Sequence, residues 1–224
     1  GTMALRTASN SADFSSKVRE LTGIGIEVLS GYDEAVFSFL GAVSGFDLRD
    51  VSRYCTIDTG GGSTEIVFAE KEKIVCTASL KTGALLLTDK YFSKDDLSKK
   101  DLMMAENELK RVFGEMDPPF KVSLAVGIGG NVTSMASVCK GMERYDPGEI
   151  QGTVLTEGEI ERQMAEYLFK NHEERRKIRG LDPERADIIL AGTCIVRYAM
   201  RFAGCREIVV SNRGLRHGIL LRMT

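Results

Sequence analysis

The sequence is poor in the groups that most often advertise catalysis or anchorage. It has two histidines, His172 and His217. The first lies in a charged stretch and the second near a C-terminal helical pattern, so neither is expected to do acid/base work. Serine, histidine and acidic residues show no nucleophile-elbow spacing, which removes a serine hydrolase built on that turn. The cysteines, Cys55, Cys76, Cys139, Cys194 and Cys205, are odd in number, widely spread and free of any C-x-x-C pair. No pair of the kind a zinc or redox site would use is present, and a reduced, cytoplasmic setting is expected. The longest apolar stretch, Ile188 to Val196, is bounded by Asp187 and Arg197. It falls far short of the ~20 residues a membrane span needs. No basic patch precedes an apolar segment near the N-terminus, so no signal peptide is expected. A large excess of either charge is also missing: Lys+Arg 30 against Asp+Glu 32 leaves a formal net charge of -2. No broad basic field invites nucleic acid or an anionic membrane, and a polyanionic ligand must be held by local chemistry.

What the sequence does have is a chain of 224 residues, 43% hydrophobic, enough for one compact domain plus part of a second. Apolar spacing predicts a helix from Asp13 to Leu21, a short β-like run from Ile26 to Leu29, and a second helix opened by Ser30-Gly31. Residues 53 to 81 read as an antiparallel meander of YCTID, TEIVFAE and KIVCTASL, with a charged turn from Glu70 to Lys73. Helices follow over Gly83 to Phe92 and Asp95 to Phe113. The strand VSLAVGI then runs into Gly129-Gly130-Asn131, with Asn131 a good N-cap for a helix to Cys139. Residues 140 to 153 look like a loop, and Thr156-x-x-Glu159 a capping box for a helix through Phe169. Glu173 to Lys177 reads as a solvated charged face. Pro183 marks a helix start, Ala186 to Ala203 a long apolar helix, EIVVS a strand, and Gly214 to Leu221 a last helix. There is no internal repeat or low-complexity segment.

The sharpest feature is Asp58-Thr59-Gly60-Gly61-Gly62-Ser63-Thr64-Glu65, set between two β runs. Consecutive glycines let the backbone approach an anion and aim several N–H groups at it, with the Ser63 and Thr64 hydroxyls as further donors. Asp58 and Glu65 could hold a Mg²⁺ ion, because hard cations prefer oxygen ligands. The same glycines could merely turn the chain, since such turns tolerate positive φ cheaply. Gly127-Ile128-Gly129-Gly130 ends an apolar strand and opens a helix whose N-terminal dipole favours phosphate, although glycine there can also serve packing. At Ser30-Gly31-Tyr32-Asp33-Glu34-Ala35 two carboxylates sit in a helix's first turn, where dipole complementarity alone would place them.

Taken in order, ALRTASN, SGYDEA, DTGGGSTE, GIGGNVT, GLDPERADIILAG and SNRGLRHG resemble the motif set of the exopolyphosphatase/guanosine pentaphosphate phosphohydrolase family, over essentially the whole chain. The resemblance implies an α/β, actin-like fold of two ribonuclease-H-like domains, with the N-terminal part of the first domain missing. Residues 1–45, with a C-terminal helix over 213–224 packing on them, would be the remnant of that domain, and 46–212 the second. It further implies Mg²⁺-dependent removal of the terminal phosphoryl group from inorganic polyphosphate or guanosine pentaphosphate by a homodimer. Glu34 matches the general base that activates water. Asp58 and Glu65 match the acidic residues around metal and phosphate, Gly60 to Thr64 a phosphate loop, and Arg6 a substrate-phosphate contact, and the Gly129-Gly130-Asn131 turn is expected to bind phosphate too. Phosphoryl transfer of this kind demands positioning, charge neutralisation and one aligned water.

Two departures stand out. Asn131 occupies a position where the family commonly has Thr, and the family's opening β-hairpin with its Asp-x-Gly-Ser-Asn-type first phosphate loop is not found in this sequence, so weak or no activity is expected of the chain alone. Two other readings carry the same glycine turns: an ATP-dependent kinase of the actin-like superfamily, and a non-catalytic polyphosphate or nucleotide sensor.

Overall fold

The computed structural model describes residues 1–71 and 73–223. Glu72 of the expected charged turn and Thr224 of the expected last helix lie outside them. Six strands form one mixed sheet: β1 (Arg53–Thr59), β2 (Thr64–Glu70), β3 (Lys73–Leu80), β4 (Leu124–Ile128), β5 (Val154–Thr156) and β6 (Glu207–Val210), in the order β3-β2-β1-β4-β6-β5. The meander β1-β2-β3 is antiparallel, β1, β4 and β6 run parallel, and β5 closes the edge antiparallel to β6. An antiparallel meander continued by parallel strands with helical crossovers is the ribonuclease-H-like arrangement that the motif resemblance implies.

The helices are α1 (Met3–Thr7), α2 (Ser11–Thr22), α3 (Gly31–Val43), α4 (Ala84–Leu87), α5 (Lys99–Phe113), α6 (Gly130–Lys140), α7 (Pro147–Ile150), α8 (Glu157–Phe169), α9 (His172–Arg175), α10 (Ile189–Ala203) and α11 (Leu215–Met223). A π-helical turn, Thr88–Phe92, extends α4, and a 3-10 turn, Pro183–Arg185, leads towards α10. No helix among the described residues is long and apolar enough to cross a membrane.

Strand residues point alternately to opposite faces. Cys55, Ile57, Ile66 and Phe68 therefore join the large core under α5, α8 and α10, while Tyr54, Val67 and Ala69 meet Ala35 and Phe39 of α3 on the other face. Burying one such aromatic stabilises by about 1.5–3 kcal/mol. The same alternation decides the chemistry: Asp58 follows Tyr54 and Thr56, and Glu65 precedes Val67, so both carboxylates emerge on the α3 face. They stand directly opposite each other in the β1–β2 ladder.

Helix α11 crosses α3 at backbone contact. A Cβ on Gly41 would overlap the Gly214 carbonyl, and one on Gly218 would overlap the Phe37 carbonyl. Glycine within a helix costs roughly 1 kcal/mol against alanine, and here it permits the approach of two main chains.

Several sequence expectations are corrected. Ile26 to Leu29 forms no strand; Leu29 N–H donates to the Gly1 carbonyl, and no strand among the described residues lies alongside to complete a ladder. The stretch read as a loop over 140–153 contains α7, capped by the Asp146 carboxylate, and leads into β5, too short to show a periodicity. Helix α5 starts four residues later than expected, because Ser98 and Asp101 form a reciprocal cap there. Asn131 is not an N-cap: Gly129 caps α6 with φ 86, and Asn131 lies inside the first turn. Within the charged run, Arg175 is 3% exposed and its Nε donates to the Tyr167 carbonyl at 2.7 Å, so that face is only partly solvated.

Candidate active site

The site begins with α3. Ser30 caps it by accepting from the Asp33 N–H at 3.0 Å, which sets Asp33 and Glu34 in the first turn. Gly31 brings that turn against β3, since a Cβ there would stand 2.9 Å from Ser79 Oγ. One helical turn after Glu34, Ser38 donates to Asp58 Oδ2 at 2.8 Å. Ser79, the β3 residue paired with Glu65, donates to Glu65 Oε1 at 2.8 Å. Each carboxylate on the sheet thus has a serine donor, one from the helix above and one from the neighbouring strand.

Among the described residues, no lysine or arginine shifts or pairs with either carboxylate. Burial pushes Asp58 up, against the Ser38 hydrogen bond, and the Glu34 charge pushes it further. Burial likewise raises Glu65, to about 7, with the Ser79 and Ser63 hydrogen bonds opposing and Glu34 and Asp58 adding repulsion. Three carboxylates that repel one another in a partly desolvated site favour a proton or a cation. No group of three or more His, Cys, Asp or Glu side chains among the described residues is placed to hold a metal unaided. Asp58 and Glu65 nevertheless suit a hard ion that completes its shell with water and ligand oxygens.

Arg6 of α1 reaches into this cluster. Its Nη1 donates to Glu34 Oε2 at 2.7 Å and to the Leu29 carbonyl at 2.8 Å. Arg6 and Glu34 are both mostly buried, so the pair is less screened than a surface bridge.

The first glycine turn is closed by Gly60 N–H donating to the Ser63 carbonyl at 2.9 Å. None of its three glycines has positive φ, so a left-handed backbone is not what they supply. Close approach is what requires them. The Gly60 and Gly61 carbonyls accept from Ala84 and Leu85 at the start of α4, and a Cβ on Gly83 would lie 2.5 Å from Gly61 main-chain atoms. With the carbonyls so engaged, the N–H groups of Gly61, Gly62 and Ser63 have no protein acceptor among the described residues. Thr64 Oγ1 is occupied, donating to the Thr82 carbonyl at 2.7 Å, and Thr64 is fully buried.

The second turn faces the first. Gly129 has φ 86, and a Cβ there would stand 2.7 Å from Asp58 Oδ1. Gly130 opens α6 directly beneath the Arg185 guanidinium, which a Cβ would overlap. Asn131 is turned inwards, its Nδ2 donating to the Thr59 carbonyl at 2.8 Å. A cleft of about 440 Å³ joins Asp58, Gly129, Gly130 and Arg185 to the segment from Ser211 to His217.

The expected residues therefore converge: Glu34, Asp58 and Glu65 cluster, both glycine turns border them, and Arg6 joins from α1. Sequence reasoning missed Ser38, Ser79 and Arg185. Ser38 had a signal, lying four residues after Glu34 on one helix face. Arg185 stands in the GLDPERADIILAG stretch, with no local pattern to place it over Gly130. Ser79 is fixed only by strand register.

The model of the Ppx/GppA phosphatase family matches residues 1–224. The chain belongs to that family. Among curated relatives, the Ppx/GppA chain is 32% identical to a bifunctional 3-dehydroquinate synthase/phosphatase of Fusobacterium nucleatum, over 98% of itself and 33% of that protein. It is 29% identical to exopolyphosphatase 1 of Mycobacterium leprae, over 99% of itself and 66% of the relative. Against a guanosine-5'-triphosphate,3'-diphosphate pyrophosphatase of Vibrio cholerae the identity is 25%, over 100% and 44%. The chain thus spans between a third and about two thirds of the length of these relatives. The crystal structure of the Aquifex aeolicus Ppx/GppA family member superposes with a TM-score of 0.87 at 30% identity, covering 99% of this chain and 72% of that one. The fold is actin-like.

Proposed function

We propose that the protein is a phosphohydrolase that removes the terminal phosphoryl group of inorganic polyphosphate or guanosine pentaphosphate. The observation that carries this reading is the convergence of Glu34, Asp58 and Glu65 beside two glycine turns, the first with N–H groups that no protein group accepts among the described residues and the second lining a cleft with Asp58 and Arg185. Names of relatives, an exopolyphosphatase and a guanosine pentaphosphate-type pyrophosphatase among them, support the substrate class.

The N–H groups of Gly61 to Ser63 and the N-terminus of α6 bind the terminal phosphate, with Arg185 adding positive charge beside Gly130. Glu34 orients a water in line with the bridging oxygen and takes its proton as the new P–O bond forms and the bridging P–O bond breaks. Because Arg6 rests on Glu34, an arriving phosphate competes for the guanidinium and leaves the carboxylate to the water. Asp58 and Glu65 would hold Mg²⁺, which supplies charge neutralisation for the phosphoryl group when bound. The family resemblance further supports a cytoplasmic homodimer. The packing of α11 on α3 supports the grouping of 213–224 with 1–45, apart from 46–212.

The test is Mg²⁺-dependent phosphate release from long-chain polyphosphate and from guanosine pentaphosphate, on the longest natural polypeptide that carries this chain, beside Glu34→Gln. Turnover in the wild type, lost by about 10²–10⁴-fold in the variant with ligand binding kept, is the expected result. Binding of both ligands with no phosphate released by the wild type would overturn the reading in favour of a sensor.

A further inference from the structure

The two glycine turns meet behind the cleft through one side chain. Asn131, the second residue of α6, is 2% exposed, and its Nδ2 donates to the Thr59 carbonyl at 2.8 Å across 72 residues of chain. Thr59 is the last residue of β1, so this bond holds the strand end from which the Gly60–Ser63 turn departs. The orientation of the carboxamide follows from the partner: reversed, it would set oxygen against oxygen. Its Oδ1 consequently faces α10, at Gly192. A Cβ on Gly192 would overlap the Asn131 carboxamide.

Nothing else satisfies the junction. Thr59 Oγ1 and Asn131 Oδ1 are both buried without a hydrogen-bond partner. Leaving a buried polar atom unpaired costs about 1–3 kcal/mol, and such atoms are uncommon in well-packed interiors. A small apolar side chain at 131 would avoid one of these penalties but would also release the Thr59 carbonyl. The arrangement is therefore suited to fixing one turn against the other rather than to stability.

We propose that Asn131 is a positioning residue that sets the spacing of the two phosphate-binding turns, and that Gly192 is the residue that admits it; this rests on the phosphohydrolase reading above. Thr59 O is the point of control. When it is held, Gly61 to Ser63 keep their N–H groups aimed across at the N-terminus of α6. When it is free, the turn fluctuates while the sheet beneath stays intact, because the β1–β2 ladder does not depend on Asn131.

The experiment uses the full natural polypeptide with three variants: Asn131→Ala, Gly192→Ala and the double variant. Hydrogen exchange of the bonded amides that close and hold the turn, those of Gly60, Ala84 and Leu85, melting temperature and kcat/KM for tripolyphosphate are measured on each. Asn131→Ala is expected to speed exchange in the turn and lower kcat/KM, each by about tenfold, the equivalent of one hydrogen bond, with exchange in β4 and α10 unchanged. Gly192→Ala is expected to expel Asn131, giving the same signature with a lower melting temperature. In the double variant the new Cβ occupies the vacated space, so the melting temperature returns while fast exchange and low kcat/KM persist. The proposal is overturned if Asn131→Ala leaves the turn's exchange as in the wild type, or if the double variant recovers kcat/KM along with its melting temperature. Should the wild type release no phosphate, the phosphohydrolase reading falls and the exchange measurement alone judges the Asn131 tie.

Discussion

The sheet and its covering helices bury residue after residue completely, whereas α1 and α2 bury none. Helix α10 has twelve buried residues of fifteen and β2 is buried on both faces. Phe14, Leu21 and Ile24, by contrast, stand at least half open to solvent or nearly so, at 49%, 74% and 66%. The candidate site lies across this divide. Asp58, Glu65 and both glycine turns belong to the densely packed part, which holds them to a fixed register. Arg6 comes from the sparsely packed part and meets Glu34 on α3, the helix that joins the two. On the proposed function, a site divided in this way would keep its anion-binding backbone in register while Arg6 exchanges Glu34 for a ligand.

Several variants sharpen or break that comparison. The largest effect is expected at Glu34, where Glu34→Gln should abolish most turnover with a melting temperature close to the wild type, because Glu34 is the proposed base and lies outside the hydrophobic core. A melting temperature that falls with activity would mean that α3's first turn is structural.

Glu65 gives the next largest effect. Its folded value near 7 exceeds the ordinary value of 4.5, so the folded state binds more protons between these limits. Stability without divalent cation is therefore full below about pH 4.5 and declines as pH rises through about 7, by roughly 3 kcal/mol. Glu65→Gln should flatten that decline, and Mg²⁺ should restore stability above pH 7. Urea midpoints measured across pH 4.5 to 8 with and without the ion check both statements, and an unchanged slope in the variant would assign the dependence elsewhere.

Gly83→Ala tests the dense region directly. The added Cβ meets the Gly61 backbone, which cannot yield without moving the turn, so a loss of about 1–3 kcal/mol is expected, together with weaker phosphate binding. In the sparse region the smallest effect is expected: Leu21→Ser should change chain stability by less than about 0.5 kcal/mol. A larger change there would show that α2 is held by more than its local contacts.

Much of this was legible beforehand. Alternating apolar residues marked β1 to β3, and the clustered glycines, acids and hydroxyls of 58–65 marked the turn that matters. The capping serine before Glu34 also placed that carboxylate at a helix start. Asn131 has a residue type that suits an N-cap, but Gly129, with its positive φ, takes the cap and the distant Thr59 carbonyl takes the Asn131 side chain. The extended run Ile26 to Leu29 has β propensity without a neighbour, and propensity alone does not make a strand.

The sequence by itself determined the alternation that puts Asp58 and Glu65 on one face of the sheet, the helix start at Ser30, and the motif order of the Ppx/GppA family. Only the tertiary structure decided that Ser38 and Ser79 each serve one carboxylate, that Arg6 lies on Glu34, that Arg185 covers Gly130, and that Asn131 joins the two turns. Periodicity is local, carried by a few neighbouring residues. These pairings join residues 14 to 72 positions apart, or elements with no common pattern, and they exist only once strand register and helix crossing have been fixed by packing.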